Sequence, residues 1–359
     1  MSNALLPLVA AACVCAAAGC NATSPPAGDA PSPHPSSRTQ LPATFVADRL
    51  VLTPTTADGQ RLALLTDSGG GMDQLSTATV ARLQLPTEPV DVPGLADELG
   101  PAAKDVRMTR LPPFAAGQGI PPVQAMESRL LVFPDAFVEK QVLPGMKRYD
   151  GFLGSRWFAD RVWTWDYPGQ RFFREPGDYR PDTGAAPMPL GFLNDASGKR
   201  RFSMPRMTIT VDGRELPMLL DTGATTMLTP AALEALDDSG PAERATSMIT
   251  DDVFQAWRKA HPEWRVIEEA QAGTGSDMIE VPEVGIAGFV VGPVWFTHRP
   301  NANFHAMMSS MMDRQVEGAV GGNAFRHFVM TVDYPGAVAY FRCAVDCSAA
   351  PPAASQSSP

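Results

Sequence analysis

Leu64-Leu65-Thr66-Asp67-Ser68-Gly69 and Leu219-Leu220-Asp221-Thr222-Gly223-Ala224 carry one pattern twice, with the two aspartates 154 residues apart. An isolated Asp beside Gly is a common turn, so the weight lies in what surrounds each copy. The same offset sets Asp58-Gly59 over Asp212-Gly213, Leu62 over Leu216 and Leu64 over Met218. In both copies an Asp-Gly turn joins two apolar, strand-like runs, as hairpins do. Met207, Ile209 and Val211 alternate with Thr208 and Thr210, the period of a half-buried strand. Beyond each aspartate a hydroxyl residue, Ser76 or Thr229, stands where it caps a short helix. The expected helices run from Thr77 to Leu83 and from Pro230 to Leu236, the second with proline at its first position.

A second block repeats downstream at an offset of 167. Gly151-Phe152-Leu153-Gly154 falls on Gly318-Ala319-Val320-Gly321, Phe158 on Phe325, Val162 on Val329 and Thr164 on Thr331. Asp166-Tyr167-Pro168-Gly169 falls on Asp333-Tyr334-Pro335-Gly336. Two matched blocks in one order make a duplicated chain, with lobes at 41–175 and 198–345 and a Pro/Gly/Asp-rich crossover at 176–197. The change of offset gives the second copy 13 extra residues in its middle. Part of that surplus is assigned to Asp251 to Ala260, where Val253, Phe254 and Trp257 have helical spacing.

An apolar strand leading into Asp-Ser/Thr-Gly, followed later by an apolar-apolar-Gly motif, resembles the aspartic peptidases of the pepsin and retropepsin families. The second motifs are Phe152-Leu153-Gly154 and Ala319-Val320-Gly321, and the resemblance covers nearly all of 41–345. It implies a mainly β, bilobal, pepsin-like acid-protease fold with two pseudo-twofold-related, barrel-like lobes and short helices. It also implies a catalytic pair, Asp67 and Asp221, supported by Ser68, Gly69, Thr222 and Gly223. With both lobes in one chain, a monomer is expected. The implied reaction is peptide-bond hydrolysis by an activated water, with an extended peptide or protein as substrate and no metal or other cofactor. Two carboxylates held close do not both ionise easily, so one acts as base while its neutral partner acts as acid.

Two departures mark the first copy: Thr66 stands where an apolar residue is usual, and Gly69-Gly70-Gly71 predicts a looser loop than its counterpart. Asp182-Thr183-Gly184-Ala185 repeats the letters, but Arg180-Pro181 precedes it in place of an apolar strand, so it reads as a turn. Asp166 and Asp333 read as hairpin-turn residues, and His305 and His327 as surface or packing residues. Met307, Met308, Met311 and Met312 fit core packing or a flexible surface loop better than a specificity pocket. Gly273-Thr274-Gly275 is the candidate for a substrate-covering flap in the second lobe. There is no His-Glu-x-x-His metal motif and no Gly-x-Ser-x-Gly elbow.

Composition agrees with a turn-rich β protein: 35 Pro and 30 Gly in 359 residues, 44 % hydrophobic. A net charge of -10 argues against a nucleic-acid partner. Leu5 to Ala18 is an apolar run too short to span a bilayer comfortably, and Ala17-Ala18-Gly19-Cys20 ends it. This resembles the lipobox of bacterial lipoproteins, which implies a signal peptide at 1–19 and lipidation of Cys20. A Pro/Ser-rich tether at 20–40 would then hold the protein to a membrane, with a periplasm-facing outer-membrane site expected. Cys343 and Cys347 are close enough to close a small disulfide loop, with a two-Cys metal site as the rival, and 346–359 reads as a disordered tail. The alternative to a peptidase is a non-catalytic lipoprotein that binds peptides or envelope components on the same fold.

Overall fold

The computed structural model describes residues 38–90, 105–118, 120–123, 128–133 and 149–350. The signal-peptide and Cys20 assignments and most of the tether lie outside these residues. Lobe one contains strands β1 (Arg49–Leu52), β2 (Leu64–Thr66), β3 (Gln74–Ser76), β4 (Glu88–Pro89), β5 (Arg107–Arg110), β6 (Arg129–Phe133) and β7 (Gly151–Leu153), with helix α1 (Thr77–Arg82) after β3. Lobe two contains β8 (Arg206–Val211), β9 (Arg214–Leu220), β10 (Thr225–Met227), helix α2 (Pro230–Leu236), β11 (Glu243–Ala245), β12 (Ser247–Thr250) and helix α3 (Asp251–Ala260). It continues with β13 (Val266–Ile267), β14 (Met278–Val281), β15 (Val294–Arg299) and β16 (Gly318–Val320).

The two lobes share one strand order. Lobe one runs β1-β2-β7-β3-β6-β5-β4 and lobe two runs β8-β9-β16-β12-β15-β14-β13. Pairing directions agree throughout: β2 with β7 and β9 with β16 are parallel, as are β3 with β6 and β12 with β15. A third sheet of six strands joins the lobes, with Val162–Asp166 antiparallel to Phe328–Asp333 at its centre. There Thr164 faces Thr331, its own repeat partner, and their hydroxyls lie 2.7 Å apart. The pseudo-twofold axis passes between these two threonines. The molecule therefore has the bilobal, mainly β architecture that the duplication implies.

Alternation decides which faces are buried. Met207, Ile209 and Val211 of β8 point into the core while Thr208 and Thr210 do not. Under the central sheet Trp157, Phe158, Trp163, Trp165 and Phe172 are fully buried. The rings of Trp163 and Phe172 stack at 5.2 Å, and each such ring removes on the order of 150–250 Å² from water. β8 and β9 are joined by Asp212-Gly213, both with positive φ, the tight turn that Asp-Gly favours. In lobe one the matching Asp58-Gly59 turn sits instead within a longer excursion, 53–63, between β1 and β2.

Three expectations are corrected. Leu75 pairs with Gly151 as Ile249 pairs with Gly318, so β12, not β10, is the counterpart of β3. The offset thus rises from 154 at the aspartates to 174 at this strand, and α3 answers to α1. The surplus of lobe two is the β10–α2–β11 unit inserted upstream, and 251–260 is not part of it. Secondly, Thr39 and Gln40, read as tether, form a strand with Leu41 against Phe172–Arg174. Thirdly, Cys347–Ala349, read as loose tail, pairs with Phe289–Val291, where the Cys343–Cys347 bond holds it.

Candidate active site

Each aspartate leaves the end of a central strand and is fixed by its own backbone. The Asp67 N–H donates to the Leu153 carbonyl at 2.9 Å, and the Asp221 N–H to the Val320 carbonyl at 3.0 Å. The apolar-apolar-Gly motifs are therefore the parallel partners that set where the aspartates emerge. The next N–H but one folds back on each carboxylate: Gly69 N to Asp67 Oδ1 at 2.7 Å, Gly223 N to Asp221 Oδ1 at 3.1 Å.

The two loops interlock. Ser68 Oγ donates to the Leu220 carbonyl at 2.7 Å and accepts from the Thr222 N–H at 3.0 Å. Thr222 Oγ1 accepts in turn from the Ser68 N–H at 3.1 Å. Ser68 and Thr222 are fully buried, so these bonds replace water that the loops have lost. The glycines are required by closeness. A Cβ on Gly69 would stand 2.7 Å from Asp221 Cγ, and one on Gly223 would stand 2.3 Å from Asp67 Cγ. Each carboxylate thus rests on the glycine of the opposite lobe, and the two lie within hydrogen-bonding reach of each other.

That arrangement controls ionisation. Loss of water raises Asp67 above the ordinary carboxylate range. The same loss, with the negative charge of Asp67 added, raises Asp221 well above it. The pair therefore retains a proton where an isolated aspartate has lost one, and it titrates as a unit.

The lobes support their loops with different chemistry. In lobe one, Asp73 Oδ1 accepts from the Gly154 N–H at 2.9 Å; in lobe two, Ser247 Oγ accepts from the Gly321 N–H at 3.1 Å. Burial pushes Asp73 up to about 7. Neither residue was singled out in the sequence, because their equivalence emerges only through the 174 offset. Thr66, unusual in the motif, is fully buried with its hydroxyl donating to the Leu50 carbonyl at 3.0 Å.

The remaining candidates lie apart from the dyad. Asp182 sits in an exposed turn closed by the Ala185 N–H. Asp166 and Asp333 accept from the Gly169 and Gly336 N–H groups in their turns, each at 2.8 Å. Met312 is buried among Met204, Leu219, Phe304, Val316 and Ala319, while Met307 is exposed. Gly273-Thr274-Gly275 lies in the connection between β13 and β14, and the matching connection between β4 and β5 falls largely outside the described residues. His305 is 2.7 Å from Glu317 and groups with Asp252 at the surface of lobe two, a cluster not foreseen from sequence. His327 is buried, with Nδ1 3.3 Å from the Val345 carbonyl. A cavity of about 290 Å³ at the lobe junction, lined by Asp48, Arg244, Trp295 and Arg326 among others, includes no residue of either dyad loop.

No protein-family model and no curated protein matches the chain. Among solved structures it is similar to basic 7S globulin from soybean at 11 % identity and a TM-score of 0.42, over 85 % of this chain and 95 % of that one. It is similar to conglutin gamma from lupine seeds at 10 % and 0.43, over 86 % and 95 %. It is similar to the aspartic proteinase from Irpex lacteus at 11 % and 0.39, over 86 % and 98 %. The shared strand order, the register and the central Thr164–Thr331 pair carry the bilobal fold on their own.

Proposed function

We propose that the chain is an aspartic endopeptidase acting through Asp67 and Asp221. The observation that carries this reading is the reciprocal packing of each carboxylate on the opposite lobe's glycine. A water held between the carboxyls loses a proton to the ionised one and attacks the scissile carbonyl, whose oxygen the protonated one polarises. The tetrahedral adduct collapses as the amine leaves with a proton from the pair, which restores one shared proton. The interlocked Ser68 and Thr222 loops keep the carboxyls from drifting apart, so positioning is in place before substrate arrives. Substrate is an extended peptide paired through its backbone, with side-chain pockets setting preference. The sequence around Cys20 supports a lipid-anchored, periplasm-facing location for the enzyme.

The test is proteolysis of a diverse peptide library by the purified full-length protein from pH 3 to 8, with new termini read by mass spectrometry. Wild type is expected to cut. Asp67→Asn and Asp221→Asn are each expected to lose at least about 10³-fold in rate while remaining folded. Cleavage undiminished in both variants would overturn the reading, and a folded wild type that cuts nothing would favour a binding role.

A further inference from the structure

We infer that Arg49, supplied by lobe one, is a positioning residue for the Asp221 loop of lobe two; the inference rests on the two-aspartate reading. Arg49 opens β1 and is only 1 % exposed. Its Nη1 lies 2.5 Å from Glu243 Oε1 on β11 and 3.4 Å from Thr225 Oγ1 on β10. The Thr225 hydroxyl donates to the Gly223 carbonyl at 2.7 Å. Gly223 is the residue against which the Asp67 carboxyl rests. A continuous run therefore leads from Glu243 through Arg49 and Thr225 to the floor of the dyad.

Three further features point the same way. Arg49 reaches the unit that lobe two has in surplus, since β10 and β11 belong to the insert. Gly71 stands four residues past Asp67, as Thr225 stands four past Asp221 where the insert begins, and a Cβ there would meet only the Met204 Cε at 3.2 Å. Among the described residues, a hydroxyl leading to an ion pair braces the dyad on the lobe-two side only. The turn before Arg49 is also tied to lobe two, because the Ala245 N–H donates to the Ala47 carbonyl at 3.0 Å. The other charged groups at this junction are Asp48, Asp238, Arg244 and Arg326. A buried ion pair adds little stability over an apolar replacement of equal volume, so a positional role accounts better for the pair.

Three variants of the full-length protein test this. Thr225→Val breaks the relay and leaves the ion pair. Arg49→Met with Glu243→Gln removes the pair without stranding a charge, which protects folding. Arg49→Lys keeps the charge and replaces the planar guanidinium by a single ammonium. Steady-state kinetics are read beside the ¹³C-carboxyl titrations of Asp67 and Asp221. For the first two variants kcat is expected to fall about 10- to 100-fold with KM within about twofold, and Arg49→Lys is expected to recover part of the loss. The separation between the two carboxyl titrations is expected to narrow as the loops relax. A lower Tm with kcat and both titrations unchanged would make Arg49 a mere tie between lobes and overturn the inference. If wild type cuts no peptide, the titrations decide alone. Narrowing in Thr225→Val upholds the positioning and places the failure on the peptidase reading, whereas unchanged titrations overturn the positioning itself.

Discussion

Gly70 and Ala224 follow their dyad glycines at equivalent places, yet they are not interchangeable. A Cβ on Gly70 would stand 2.5 Å from Phe152 Cζ and 2.6 Å from Cε1, so the ring already fills that space. The repeat partner of Phe152 is Ala319, which leaves room for the methyl of Ala224. Gly faces Phe in lobe one, whereas the equivalent positions of lobe two are both Ala. The run Gly69-Gly70-Gly71, which predicts a looser loop, is at its first two positions a loop filled from across the site. Gly70→Ala is expected to destabilise by about 1–3 kcal/mol, and Phe152→Ala to suppress most of that loss, as read from urea midpoints in a double-mutant cycle. Asp73 makes a second test, of opposite sign. Its folded pKa of about 7 lies above the unfolded value, so the folded state holds a proton that the unfolded chain has lost. Stability is therefore lost as pH rises from about 4 through about 7. Asp73→Asn keeps an acceptor for Gly154, as the neutral Ser247 does for Gly321. It is expected to stabilise by on the order of 2 kcal/mol at pH 8 and by nothing at pH 4, measured by chemical denaturation at both.

At the scale of elements, the caps separate helices that look alike in sequence. Ser76 Oγ accepts from the Thr79 N–H at 3.1 Å, and Thr229 Oγ1 from the Ala232 N–H at 3.2 Å. Thr250 precedes α3 without a side-chain cap bond, its hydroxyl lying 3.4 Å from Glu317 instead. Ser76→Ala and Thr229→Ala are each expected to cost about 1 kcal/mol, and Thr250→Ala clearly less, in thermal unfolding followed by circular dichroism. Both capped helices were legible because a cap is local chemistry. Which helix answers to which was not. Leu75-Ser76 resembles Leu228-Thr229 in letters, but β10–α2 and β12–α3 are both strand, hydroxyl, helix units. Local pattern does not say which of them enters the sheet. The choice is made by partners far along the chain, Gly151 for Leu75 and Gly318 for Ile249. The same limit hid Arg49 and Glu243, which are 194 residues apart and share no periodicity. The dyad was legible for the opposite reason: duplication writes its geometry twice, and the twofold relation follows from the repeat.

For the whole molecule, the buried carboxyls give stability a direction in pH. Asp67, Asp221, Asp73 and Asp48 are all raised, each chiefly by loss of water. Arg326 and Arg244 partly offset the rise at Asp48. Between the unfolded and folded values the native protein binds more protons than the unfolded chain, so stability grows as pH falls from 7 toward about 5. The net charge of -10 acts alongside, because partial protonation relieves self-repulsion. His327, held below the ordinary imidazole value by burial, takes back part of that gain below about pH 6.5. The other opposing groups are Asp58, Asp195, Asp238 and Asp313, whose values are lowered. Their contribution is present above the unfolded value and is lost as pH falls below about 4. Stability is thus expected to peak in mild acid, where the dyad also keeps the shared proton that its proposed chemistry needs. Scanning calorimetry across pH 3 to 8 checks this: Tm should be higher near pH 5 than at pH 7.5 and should fall again below about pH 4. Asp73→Asn combined with Asp221→Asn should flatten the limb between pH 5 and 7.5, because two of the groups that create it no longer titrate. A wild-type Tm that is level or rising from pH 5 to 7.5 would mean that these carboxyls are not desolvated in solution as their packing requires.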